Sequence, residues 1–71
     1  MTLEQVVTQN LRALRAQKKF SQETLAHKAG ISVSYVSILE RGARTPPLAT
    51  MEALAKAMGV SPLALLQKPS R

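Results

Sequence analysis

An all-α fold of five short helices is predicted by three features of the 71-residue sequence. Apolar residues recur at helical spacing. A capping residue stands before each apolar run. Glycine or a proline pair closes most of them. No strand is expected.

The first helix is predicted over about residues 3–17. Leu3, Val7, Leu11 and Leu14 follow one face, with Val6 beside them. Thr2 and Gln5 have the spacing of a capping box, in which each side chain accepts from the other residue's backbone N–H. Arg12, Arg15, Lys18 and Lys19 gather at the far end, where cations suit the helix dipole. Phe20 follows as a core plug. Ser21 caps the second helix, QETLAHKA over 22–29, which carries Glu23 in its first turn. Leu25, Ala26 and Ala29 form its inner face. Gly30 ends it by taking the left-handed conformation.

Ile31 bridges to the third helix, VSYVSILER over 33–41, which Ser32 caps and Gly42 ends. Thr45, Pro46 and Pro47 forbid a helix interior, although Pro47 suits a helix start. LATMEALAKAM over 48–58 is the fourth helix, with Leu48, Met51, Leu54, Ala55 and Met58 as its apolar stripe. Gly59 stops it. Ser61-Pro62 is a cap followed by a first-turn proline, opening a fifth helix to about Gln67. KPSR, 68–71, reads as a frayed basic tail.

Composition narrows the function classes. The length fits one domain over residues 1–71. The absence of cysteine excludes a disulfide-stapled scaffold and fits a reducing cytoplasm. No apolar run approaches the roughly 20 residues of a membrane span, and MTLEQVVTQN lacks the features of a signal peptide. Ten Lys/Arg against four Asp/Glu give a net charge of +6. Such a basic chain attracts polyanions, above all nucleic acid. Phe20 and Tyr35 are the only aromatics, which disfavours modules that stack single-stranded bases.

Catalysis is not expected. His27 is the only histidine, and Glu4, Glu23, Glu40 and Glu52 fall on different helices. Neither a nucleophile–base pair nor a metal set emerges. No cofactor, small-molecule ligand or membrane partner is expected.

The segment GISVSYVSILERG, Gly30–Gly42, poses the functional question. Ile31, Val36 and Leu39 can be buried together. Val33 and Ile38 instead sit among serines, where a soluble helix is normally polar. The turn around Gly30 is too short for a long antiparallel hairpin and suits two helices crossing steeply, with small Ala26 at the approach.

QETLAHKAGISVSYVSILER, Gln22–Arg41, resembles the helix-turn-helix of the lambda-repressor-like family (Cro/C1 type, also called XRE). Matching positions include Ser21-Gln22, Leu25-Ala26, Gly30, Val36, Leu39 and Glu40-Arg41-Gly42. PPLATMEALAKAMGVSP, Pro46–Pro62, is similar to the family's fourth helix and its exit. The resemblance runs from Leu11 to Leu66.

The resemblance implies a small homodimeric transcriptional regulator that binds double-stranded DNA, with helix 3 in the major groove. Carried over position by position, base reading falls on Ser32, Val33, Ser34, Ser37 and Ile38. The serines can bond base edges or phosphates. Val33 and Ile38 can meet thymine methyls, which only the major groove displays. The alternative for Ile38 is ordinary core packing. Backbone contacts fall on Gln22, Arg41, Arg44 and Thr45, with Tyr35 either donating to a phosphate or packing its ring over helix 2. Lys28 is read as solvated. Arg15 and Glu40 match a salt bridge that orients the reading helix in the family.

Two departures stand out. The reading face has no Gln, Asn or Arg, so specificity is expected to lean on methyl contacts and DNA shape. Lys19 replaces the family's usual Gly or Asn after helix 1, implying modest strain.

Residues 48–67 offer Met51, Met58, Leu63, Leu65 and Leu66, more large apolar side chains than one small core can face. They are the candidate dimer interface. The length leaves no separate ligand domain, so any sensing is expected to work through concentration or dimerisation. The rival class is a protein-interaction module such as an antitoxin or co-regulator. A membrane-surface helix is a third option, disfavoured by the dispersed charges.

Overall fold

The computed structural model describes residues 1–68, so Pro69, Ser70 and Arg71 of the expected tail lie outside the described residues. Four α-helices follow one another: α1 (Leu3–Gln17), α2 (Gln22–Ala29), α3 (Val33–Glu40) and α4 (Leu48–Met58). A single 3-10 turn, Pro62–Leu65, follows α4 in place of the expected fifth helix. Pro62 favours starting a turn there, but Leu66 closes it at once, and a single i→i−4 bond, from the Gln67 amide to the Leu63 carbonyl at 3.1 Å, does not extend it into an α-helix. No strand occurs among the described residues.

Capping side chains explain where the elements begin. Thr2 and Gln5 form the reciprocal box, at 3.1 and 2.8 Å. Ser21 accepts from the Thr24 amide and Ser32 from the Tyr35 amide, at 2.9 and 3.0 Å. Each such cap contributes about 1 kcal/mol by satisfying a donor the helix leaves free.

The four α-helices also end alike. In each, the amide two residues past the last turn bonds back over six residues: Phe20 to Arg15, Ile31 to Ala26, Ala43 to Ile38 and Val60 to Ala55. The residue before that amide takes a positive φ. Glycine fills it at Gly30 and Gly42, with φ of 74° and 76°. Lys19 fills it after α1, with φ of 61°. The strain expected at Lys19 is therefore located in a helix-ending motif that glycine completes elsewhere in the same chain.

The core joins Val7 and Leu11 of α1, Leu25 and Ala26 of α2, Val36 and Leu39 of α3, Met51, Leu54, Ala55 and Met58 of α4, and Leu65 of the 3-10 turn. α2 packs on both α3 and α4, while α1 packs on α3 and the 3-10 turn. Phe20 is half-buried against this core, with the Lys28 ammonium 5.4 Å from its ring centre. Lys28 is thus exposed but not idle, since a cation over an aromatic face is attracted by the ring.

Two stripe assignments change. Leu3 is 60% exposed and Leu48 74% exposed, because each opens its helix and overhangs the end of the core. Val6, read only as a neighbour of the α1 stripe, is fully buried.

Candidate nucleic-acid interface

α2 and α3 are eight residues each and are joined through Gly30 and Ile31. The left-handed Gly30 lets the Ile31 amide close on the Ala26 carbonyl at 3.0 Å, which ends α2 and turns the chain into α3. Val36 and Leu39 anchor α3 in the core. That anchoring decides which of its residues remain outside.

Ser32, Val33 and Ser34 are exposed at the start of α3, with Val33 41% exposed. The Ser32 oxygen is engaged as a cap, which leaves its hydroxyl hydrogen available. Ser37 and Ile38 are half-buried one turn further on. Ser37 Oγ accepts from Arg41 Nη1 at 3.1 Å, tying a candidate base reader to a candidate backbone contact. Ile38 is not among the partly buried residues packed on the core, whereas Tyr35 is. The Tyr35 ring packs against the core. Arg41, Arg44 and Thr45 are exposed beyond α3, which ends at Glu40 rather than Arg41.

The Arg15–Glu40 pair forms. Arg15 Nε and Nη2 donate to Glu40 Oε2 and Oε1 at 2.5 and 3.0 Å, and Arg15 Nη1 donates to the Phe20 carbonyl at 2.9 Å. Glu40 is 4% exposed, the one buried charged residue among those described. The hydrogen bond to Glu40 is the main cause that lifts the Arg15 guanidinium above its ordinary value, with burial opposing and the Glu40 charge adding. A raised cation stays paired below its folded-state pKa, so this link holds throughout the neutral range.

Gln22 was expected at a DNA phosphate. Its Nε2 donates to Glu40 Oε1 at 3.0 Å. Glu40 therefore gathers α1, α2 and α3 at one carboxylate. Sequence reasoning found the Arg15–Glu40 pair and missed Gln22 as its third member. The signal was available in principle: a buried carboxylate has about four acceptor sites, and one arginine does not fill them. Asn10 was also missed. Its Nδ2 donates to the Leu65 and Gln67 carbonyls at 3.0 and 2.6 Å, fastening the C-terminal turn to α1.

The candidate dimer set is corrected. Met51, Met58 and Leu65 are buried within the chain itself and offer nothing to a second copy. Leu66 is half-buried against the same core. Leu63 alone of the five is well exposed, at 64%.

A short helix tied to its predecessor by a tight glycine turn, with serines and valine outward and basic residues beyond its end, defines a helix-turn-helix domain. The helix-turn-helix family profile matches residues 11–65 of this chain. An uncharacterised HTH-type transcriptional regulator, y4dJ of Sinorhizobium fredii, is 39% identical over 66 residues, covering 93% of this chain and 86% of that one. Among solved structures, the hypothetical transcription factor NHTF from Neisseria superposes with a TM-score of 0.91 at 38% identity, covering 96% of this chain and 78% of that one. The restriction-modification controller protein C.AhdI from Aeromonas hydrophila superposes with a TM-score of 0.81 at 43% identity, covering 84% and 91%. The chain belongs to the helix-turn-helix family of the Cro/C1 type, a family of transcription regulators and not of enzymes. No helix of the described residues is long and apolar enough to cross a membrane.

Proposed function

We propose that this chain is a sequence-specific binder of double-stranded DNA that regulates transcription as a cytoplasmic homodimer. It forms one domain over residues 1–71, with its helix-turn-helix at about 22–41. The observation that carries the proposal is the outer face of α3. Ser32, Val33 and Ser34 stand exposed at its N-terminal end, where a helix entering the major groove meets base edges. Ser37 and Ile38 lie one turn behind. Phosphate contacts flank this face on both sides, from the N-terminus of α2 and from exposed Arg41, Arg44 and Thr45.

Sequence is read by hydroxyls and methyl-sized apolar groups rather than by bidentate amides or guanidinium groups. Val33 discriminates by contact with thymine methyls, and Ile38 extends the same surface. Dimerisation uses exposed Leu63, supported by exposed Leu48, rather than the buried methionines. The +6 charge supplies the sequence-independent part of the affinity.

Binding isotherms across a salt series separate the two kinds of contact. Arg44→Ala is expected to weaken all duplexes alike and to lower the salt slope by about one phosphate. Ser34→Ala and Ser37→Ala are expected to reorder the preferred sites with the slope unchanged. Serine variants that keep the wild-type ranking of sites contradict the assignment of base reading to α3.

A further inference from the structure

A cleft of about 610 Å³ lies between the N-terminal half of α1 and the end of α3. Its α1 wall carries Glu4, Gln5, Thr8, Gln9 and Arg12, and Arg41 faces them from the other side. Gly42 brings the chain down onto α1 there. A Cβ built on it would lie 3.5 Å from the Thr8 hydroxyl oxygen, so that side chain closes the floor. A volume of this size is in the range of sites that hold a small molecule.

The cleft is rich in donors. Arg15–Glu40 is the one ion pair among the described residues, so the Arg12 guanidinium is unpaired. Arg41 gives one N–H to Ser37 Oγ at 3.1 Å, which steadies its guanidinium and leaves the other donors free. The Gln5 side-chain oxygen accepts from the Thr2 amide at 2.8 Å, so Gln5 has only its Nε2 hydrogens left to offer. Two guanidinium groups match a dianionic phosphoryl group in charge and in hydrogen-bond geometry. Glu4 stands eight residues before Arg12, about 12 Å along the helix axis. Its carboxylate repels a second phosphoryl group at that end and accepts from a neutral donor.

We propose that this cleft binds a small phosphate monoester with a hydrogen-bond donor at its far end, and that its occupancy opposes DNA binding. A nucleoside monophosphate is the class that fits. Its phosphoryl group goes to Arg12 and Arg41, and its amino or hydroxyl groups go toward Glu4. The opposition follows from Arg41, which lines the cleft and belongs to the exposed basic set beyond α3. A guanidinium engaged by the ligand is withdrawn from a DNA phosphate, and the coupling is reciprocal. This second half rests on the DNA reading above, whereas the binding site does not.

The test titrates the intact chain with adenosine 5′-monophosphate at constant ionic strength and follows backbone amide shifts. The amides of Thr8, Gln9, Arg12 and Gly42 are expected to move saturably, with those of Lys18, Lys28 and Lys56 still. Arg12→Gln is expected to weaken the titration about tenfold, through loss of a charged hydrogen bond. Wild-type preference for the monophosphate over adenosine 5′-diphosphate is expected to disappear in Glu4→Gln. Shifts that never saturate and spread over the lysines overturn the proposal, as does a titration that Arg12→Gln leaves intact. Equal affinity for inorganic phosphate overturns the assignment to a monoester.

The competition is tested on a duplex selected from a random pool. Adenosine 5′-monophosphate is expected to lower the DNA affinity of the wild-type chain and to spare that of Arg12→Gln. An equal effect on both overturns the competition. Failure of the wild-type chain to select any duplex overturns the DNA reading and the competition with it, while the amide titration still decides the site.

Discussion

The two ends of this small protein are held by different forces. Around α3 the fastening is polar: one carboxylate, Glu40, receives Arg15 from α1 and Gln22 from α2. At the C-terminal end the fastening is apolar burial of Leu65 and Met58, with the amide of Asn10 as a clasp. α3 has eight residues and buries only Val36 and Leu39 as apolar anchors, too few to fix its rotation about its own axis. A directional, bidentate link supplies what burial lacks. The 3-10 turn presents no reading surface, and non-directional packing suffices for it. A helix that must be aimed is held by hydrogen bonds, whereas a segment that must only close the core is held by a leucine.

The contrast can be broken from either side. Glu40→Ala is expected to have the largest effect, about 3–5 kcal/mol measured by urea unfolding, because it leaves the half-buried Arg15 charge without its partner. A cost below about 1 kcal/mol would class the pair with exposed surface bridges. Leu65→Ala comes next, at about 2–4 kcal/mol for deletion of a fully buried leucine, with the affinity of the surviving folded fraction for DNA unchanged. A matching loss of DNA affinity there would show that aiming is not confined to the polar end.

Asn10→Ala is expected to cost about 1–2 kcal/mol and to raise amide exchange in residues 62–67 before the rest of the chain. Lys19→Gly is the smallest change and has the opposite sign. Relief of a left-handed lysine is expected to exceed the extra unfolded-state entropy of glycine, raising stability by about 0.5–1 kcal/mol. A thermal melt that falls instead would place the value of Lys19 in its charge rather than its backbone. Leu63→Glu probes the dimer separately: sedimentation is expected to shift toward monomer with the unfolding midpoint of the monomer unmoved.

What could be read in the sequence follows the same division. Signals carried by neighbours in the chain were legible. Thr2 with Gln5, Ser21, Ser32, Gly30 and Gly59 place helix ends through bonds that span three to five residues. The charged pair Arg15–Glu40 was legible through the family resemblance. The facing of leucines and methionines was not, since Leu63 and Leu65 differ by two positions in one turn and only the packed partner elements decide between them. The bond from Gln22 to Glu40 was hidden for a related reason. Its position at the start of α2 fits a phosphate, while its bond to Glu40 depends on how α3 crosses α2. The tight end of the fifth helix was hidden too, because PLALLQ has good helix formers and the stop comes from how the turn lies against α1.

The central claim is that the outer face of α3 reads duplex DNA, and selection from a random duplex pool at near-physiological salt tests it most directly. The account predicts a two-fold-symmetric site with half-sites about one helical turn (~34 Å) apart and thymines where Val33 reaches. Absence of enrichment, with binding that vanishes steeply as salt rises, would contradict it and leave only attraction of a basic protein to a polyanion.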